Sequence, residues 1–211
     1  MRALEKNIAE RLLRIKAIKL QPNNPFVWAS GWKSPIYCDN RKTLSYPAIR
    51  TYIKNALVHT IMDVYPDVEV IAGVATGAIA QGALVADELG LPFIYIRSTP
   101  KDHGLENLIE GDLKPKQKVV VVEDLISTGG SCLKAVEAIR KDGSEVLGIV
   151  SIFTYGFGAA EEKFKNANVK FTTLSDYDSV LTEALATDYI SDVDLETLRE
   201  WRKNPAAWKK D

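Results

Sequence analysis

The chain has 211 residues, 46% of them hydrophobic and 26% charged, which is ordinary for a soluble globular protein and enough for one sizeable core. Lys+Arg 27 against Asp+Glu 28 gives a net charge of −1, which offers no electrostatic footprint for nucleic acid. Two cysteines, Cys38 and Cys132, stand far apart and outside any C-x-x-C pair, which argues against zinc or disulfide scaffolds and fits a reducing cytoplasm.

Met1 to Lys6 carry acid and base early and no apolar core, so no signal peptide is expected. Leu4, Ile8, Leu12 and Ile15 predict an amphipathic helix. Pro22 and Pro25 end any helical tendency, and residues 20–45 read as irregular. A helix is predicted from near Pro47, with Ser45 as its cap and Ile49, Tyr52, Ile53, Ala56, Leu57 and Ile61 as its buried face. The longest uncharged run, 70–86, carries three glycines and Gln81. It falls short of the roughly 20 residues a membrane helix needs, so no membrane span is expected.

A strand–helix alternation follows. Strand 68–74 leads to helix 78–89, ended by Gly90. Strand 93–97 leads into a long polar loop, 98–117. Strand 118–122 leads to a Gly-rich turn and helix 131–142, ended by Gly143. Strand 145–153 precedes helix 159–166, and strand 169–174 precedes helix 179–186. Asp192 or Asp194 is expected to cap a last helix through Arg202. This is the pattern of an α/β fold, a mostly parallel twisted sheet with helices on both faces. The reading is a single domain over 1–211, with about 1–45 as an N-terminal helix and cap segment and about 46–211 as the α/β core. Ligands of such sheets sit beyond the C-terminal strand ends. Three loops leave such ends and should converge: Ala75-Thr76-Gly77, Arg97 onward and Glu123 onward.

The third of these organises the chain. Val119 to Val122 read as a strand buried on both faces. Glu123 and Asp124 follow, then Leu125, Ile126, Ser127, Thr128, Gly129, Gly130 and Ser131. A helix start offers unpaired N–H groups to a phosphate, and glycines let the backbone come close. Carboxylates are acceptor-only groups suited to sugar hydroxyls, and two of them at a buried strand end are costly without a partner. Together these features point to a pocket for a phosphorylated sugar. No Lys follows the glycines, so this is not a nucleotide P-loop, and the paired acids set it apart from the dinucleotide fingerprint.

This stretch resembles the phosphoribosyl-pyrophosphate (PRPP) signature of type I phosphoribosyltransferases. Two further motifs narrow the likeness to the orotate phosphoribosyltransferases. Arg97-Ser98-Thr99-Pro100-Lys101-Asp102-His103-Gly104 is similar to that family's catalytic loop. Phe26-Val27-Trp28-Ala29-Ser30-Gly31-Trp32-Lys33-Ser34-Pro35-Ile36-Tyr37, with Asp39 and Arg41 behind it, is similar to its orotate-binding segment. Three motifs in the right order are much stronger than one.

The resemblance implies the type I phosphoribosyltransferase fold with an N-terminal hood, transfer of phosphoribose from PRPP to orotate, Mg²⁺ as cofactor held by PRPP and water, and a homodimer with shared sites. It implies catalytic roles for Arg97, Lys101 and His103. PRPP contacts would come from those three, from Thr76, and from Glu123, Asp124, Leu125, Ile126, Ser127, Thr128, Gly129, Gly130 and Ser131. Ser127, Ser30, Gly31, Ser34 and Tyr37 would contact orotate. Four positions often basic in relatives hold Ala29, Thr76, Ser98 and Tyr155, so the site is less cationic than in some relatives. Two alternatives stand beside this reading: a type I transferase for another nucleobase, and a PRPP-binding regulator without catalysis.

Plainer roles suit other residues. Trp28 and Trp32 read as packing or cap residues, and His59 as structural or surface. Cys132, just inside a helix, reads as packing, against the alternative of a lowered thiol pKa. Residues 161–165 read as a solvated helix face, and the sequence leaves the roles of Trp201 and Trp208 open.

Overall fold

A computed structural model of the protein describes residues 3–28, 31–99 and 108–209. Its N-terminal part runs α1 (Ala3–Arg14), β1 (Ile18–Leu20), β2 (Phe26–Val27), β3 (Lys33–Ser34), β4 (Ile36–Cys38), a 3-10 turn (Asn40–Ser45) and α2 (Pro47–Val64). The sheet region follows with β5 (Val70–Val74), α3 (Ile79–Leu89), β6 (Phe93–Ile96), β7 (Ile109–Glu110), β8 (Lys118–Ile126), α4 (Gly130–Lys141), β9 (Glu145–Thr154), α5 (Gly158–Asn166), β10 (Phe171–Asp176), α6 (Tyr177–Ala186) and α7 (Asp192–Lys203).

The valine run of β8 lies at the centre. Successive strand side chains face opposite ways. Val120 and Val122 therefore enter one hydrophobic cluster, and Val119 and Val121 the other. The first cluster gathers α1, α2, α3, α6 and α7 on one face, while α4 and α5 cover the second. The six strands are ordered β10-β9-β8-β5-β6-β7, all parallel except β7, which runs antiparallel to β6. From β5 the chain moves outward to β6, then returns to place β8 on the other side of β5. The order reverses between β5 and β8, and α3 and α4 leave on opposite faces. Such a reversal opens a crevice beyond the strand ends.

Several expectations are corrected. Residues 20–45 are not irregular: β1 pairs antiparallel with β4, and β2 with β3. Ser45 does not cap α2; it closes the 3-10 turn, and Tyr46 takes the cap position without a side-chain bond. Pro47 at the first helical position lacks an N–H anyway, so little capping is lost. Ser191, rather than Asp192 or Asp194, caps α7, with Asp194 closing a capping box. Helix α1 packs on α6 and β10, and Ile8 and Leu12 share a cluster with Val120, so the hydrophobic core runs across position 45. Strand β8 extends through Ile126, past its predicted end at Val122, so the acidic pair belongs to the strand. Among the described residues no helix is long and apolar enough to cross a membrane.

Candidate active site

Because Glu123 and Asp124 are consecutive in β8, they face opposite sides of the sheet. Glu123 turns toward α4 and is 3% exposed. Its carboxyl accepts from the Asp124 N–H at 3.0 Å, the Ser131 hydroxyl at 3.1 Å and the Cys132 thiol at 3.3 Å. Burial, then the neighbouring Asp124 charge, pushes its pKa up to about 8. Glu123 thus binds the start of α4 to the strand. Asp124 turns toward α3 and stays half-exposed in a cleft. Both acids expected to hold sugar hydroxyls line the cleft, Asp124 half-exposed and Glu123 nearly buried at its back.

The turn beyond is shaped for close approach. Gly129 has φ +76°, and a Cβ there would lie 2.9 Å from the Phe164 ring. Any side chain would be strained and would strike α5. No side chain caps α4, and Thr128, Gly130 and Ser131 are exposed around its first turn. The helix start is open to an anion. Lys163, expected on a solvated face, donates to the Thr128 carbonyl at 3.3 Å. Leu125 lines the cleft, Ser127 is half-buried, and Ile126 is buried, its carbonyl accepting from the Tyr155 N–H at 3.1 Å.

Opposite Asp124 stands the turn after β5, Ala75-Thr76-Gly77, with Thr76 exposed and a cis Ala75–Thr76 peptide. A Cβ on Gly77 would overlap the Asp124 carboxylate, so the glycine leaves that side chain its place beside the turn. Cys38, Asp39 and Arg41 supply a third wall from the N-terminal segment, enclosing about 260 Å³ with the two turns. A larger groove along α7, lined by residues such as Asp178 and Arg202, shares no residue with these turns.

Sequence reasoning missed what holds that third wall. Asn40, 2% exposed, donates from Nδ2 to the Asp124 carbonyl at 2.5 Å. Its Oδ1 accepts from the Cys38 thiol at 3.4 Å. Asp39 caps the 3-10 turn by accepting from the Arg41 N–H at 3.2 Å. Its carboxylate also takes Arg41 Nε at 2.7 Å and Nη2 at 3.1 Å. The Arg41 hydrogen bonds hold the Asp39 carboxyl below its usual range. An Asp before a short polar run is a cap signal that could have revealed the turn. Burial raises the pKa of both thiols, Cys38 beside Asp124 and Asp39, and Cys132 beside Glu123, so the packing reading of Cys132 fits and a lowered pKa does not.

The remaining candidates are scattered. Ser34 is fully buried, its hydroxyl donating to the Ile36 carbonyl at 2.8 Å, so it shapes the cap and does not face the cleft. Gly31, at φ +80°, turns the β2–β3 hairpin. Tyr37 is 39% exposed, its ring 5.5 Å from Phe26. Arg97, at the end of β6, lies 3.6 Å from Glu110 rather than in the cleft wall, and Ser98 beside it is exposed. Ala29, Ser30, Lys101 and His103 lie outside the described residues. Tyr155 is buried, its ring stacked on Phe157 at 5.4 Å, where an arginine was expected in relatives. Trp201 is fully buried against Trp28, Tyr155, Phe157 and Tyr177. Trp208 packs at the edge of this core, and Lys209 donates to the Pro22 carbonyl at 3.1 Å, so the C-terminal end docks on the cap.

Among the described residues no group of three or more His, Cys, Asp or Glu could hold a metal ion. Mg²⁺ takes few carboxylates and keeps water and phosphate oxygens. Asp124 in the cleft suits such an ion as one hard-oxygen partner.

The family of the phosphoribosyl transferase domain matches residues 43–185. The chain is 68% identical over 208 residues to an orotate phosphoribosyltransferase of Porphyromonas gingivalis, covering 99% of each. It is 52% identical to the enzyme of that name from Listeria innocua, covering 99% of this chain and 100% of that one. An orotate phosphoribosyltransferase crystal structure from Aeropyrum pernix superposes with a TM-score of 0.76 at 26% identity, covering 87% of this chain and 99% of that one.

Proposed function

We infer the reaction from one premise: this chain belongs to the phosphoribosyltransferase family and, within it, to the orotate phosphoribosyltransferases. It transfers phosphoribose from PRPP to orotate, giving orotidine 5′-monophosphate and pyrophosphate, a step of pyrimidine biosynthesis. The observation that carries the reading at the level of the site is the facing of Asp124 and the Thr76-Gly77 turn beside the uncapped start of α4.

In this reading the 5′-phosphate sits on the N–H groups of Gly129, Gly130 and Ser131, with the Thr128 hydroxyl beside them. Asp124 and Glu123, which both line the cleft, accept from the ribose hydroxyls, and Glu123 also ties the turn to the strand. The diphosphate lies toward Thr76. Orotate lies beneath the cap, near Ser127, Gly31 and Tyr37, with Ser30 as a further partner. Orotate N1 forms a bond to ribose C1 as the C1–oxygen bond to diphosphate breaks; the electron pair leaves with the diphosphate, which also takes up the N1 proton. Positive charge builds on the ribose and negative charge on the leaving group, so fixed positions and cations lower the barrier. Arg97, Lys101 and His103 supply donors for the leaving group. Mg²⁺, held mainly by PRPP and water, neutralises diphosphate charge when bound. A homodimer in the cytoplasm, with active sites shared between the two copies, completes the proposal.

Incubation with Mg²⁺ and PRPP, and with orotate, uracil, adenine or hypoxanthine in turn, tests it. Consumption of orotate is the expected result. Turnover of another base alone would overturn the orotate reading, and PRPP binding without turnover would indicate a regulator.

A further inference from the structure

We propose that Arg41 binds the diphosphate of PRPP, presented to it by Asp39. The inference rests on the PRPP reading of the cleft and adds a residue to it. Among the described residues lining the cleft, Arg41 is the only cation. It shares that cleft with the turn after β5, where Thr76 stands in place of a basic residue, and Ala29, Ser98 and Tyr155 are likewise neutral. With the 5′-phosphate at the start of α4 and the ribose at Asp124, the diphosphate end of PRPP points toward that turn and toward Arg41.

The local build suits the task. Asp39 holds Nε and Nη2, which leaves Nη1 outside the pair. Asp39 is itself fixed, its N–H donating to the Ala17 carbonyl at 2.8 Å and its carboxylate capping the turn. Asn40, between them, is anchored to the Asp124 carbonyl. Three consecutive residues therefore lock the guanidinium to the strand end that carries the ribose-facing acid. The Arg41 side chain is 58% exposed, so an anion reaches it without displacing packed groups. Arginine is always charged and presents planar donors that match phosphate oxygens. The neighbouring cation, Lys42, is turned away and donates to the Lys16 carbonyl at 3.1 Å.

Calorimetric titration of wild type, Arg41→Ala and Arg41→Lys with Mg²⁺·PRPP, inorganic pyrophosphate and ribose 5-phosphate tests the assignment. Arg41→Ala should weaken PRPP and pyrophosphate roughly 10- to 100-fold, the loss of one charge-assisted contact, and leave ribose 5-phosphate binding where it was. Arg41→Lys should recover part of the loss, since charge returns without the fork. In turnover the KM for PRPP should rise while that for orotate holds. Unchanged pyrophosphate affinity, or a loss confined to ribose 5-phosphate or orotate, would overturn the proposal. Wild type that binds PRPP without turning over orotate would refute the acceptor reading alone. Wild type that binds neither PRPP nor pyrophosphate would end both.

Discussion

Residues 123–131 and the cap segment, described over 18–28 and 31–45, meet at a single cleft through Cys38, Asp39 and Arg41, yet they are specified in opposite ways. The first is written locally. The end of β8 brings Glu123 and Asp124 to the cleft, Glu123 bonded to the start of α4, and Gly129 turns the backbone where a Cβ would meet Phe164. The second is held by partners far away in the chain: Asn40 by the Asp124 carbonyl, Trp28 by Trp201, Pro22 by Lys209. A phosphate site can be encoded in a dozen residues because backbone N–H groups do the binding. A base site needs side chains from several elements, and its shape depends on the core beneath it.

The sharpest way to break this contrast is at Trp201. Trp201→Ala removes the centre of the aromatic packing under the cap and should cost about 3–5 kcal/mol by thermal unfolding. Where the variant remains folded, its KM for orotate should rise more than its KM for PRPP. Trp201→Phe should cost far less, because the indole N–H has no hydrogen-bond partner among the described residues. Equal losses for both substrates would show that the two halves do not separate. Asn40→Ala comes next, since it cuts the bond joining them. The Asp124 carbonyl would lose its partner in a part-buried bond, costing about 1 kcal/mol, and both KM values should rise together. A change in one substrate alone would mean that Asn40 does not bridge the halves.

At acid pH the smallest effect belongs to Glu123→Gln, whose consequence grows as pH rises. The folded protein raises the Glu123 pKa from 4.5 to about 8. Between those values the native state holds a proton that the unfolded chain has lost, so stability falls as pH rises. The contribution is full below about 4.5 and gone above about 8. Glutamine, neutral throughout, should flatten that slope while barely changing stability at the acid end. A melting-temperature profile that keeps its slope in the variant would assign the pH dependence elsewhere.

The same contrast explains what could be read beforehand. The parallel sheet was legible because β-branched runs such as Val119 to Val122 and glycine stops such as Gly90 are strong local signals. The Gly-rich turn was legible for the same reason. Strands of two or three residues, such as β2 and β4, leave no periodicity to detect. The Asn40–Asp124 bond spans 84 positions, and nothing in either neighbourhood announces the other. The burial of Ser34, expected against orotate, and of Tyr155, standing where relatives often carry an arginine, follows from tertiary packing that a motif does not record.

The aromatic floor under the cap has a consequence for the order in which the protein can be made. Domains begin to assemble while the ribosome is still adding residues, N-terminal parts first. Every element that meets at the Gly-rich turn has emerged by the end of α5, whereas Trp201 lies in α7 and Lys209 beyond it. A nascent chain can therefore shape its Gly-rich turn during translation, but the aromatic packing under the cap must wait for α7 to be released.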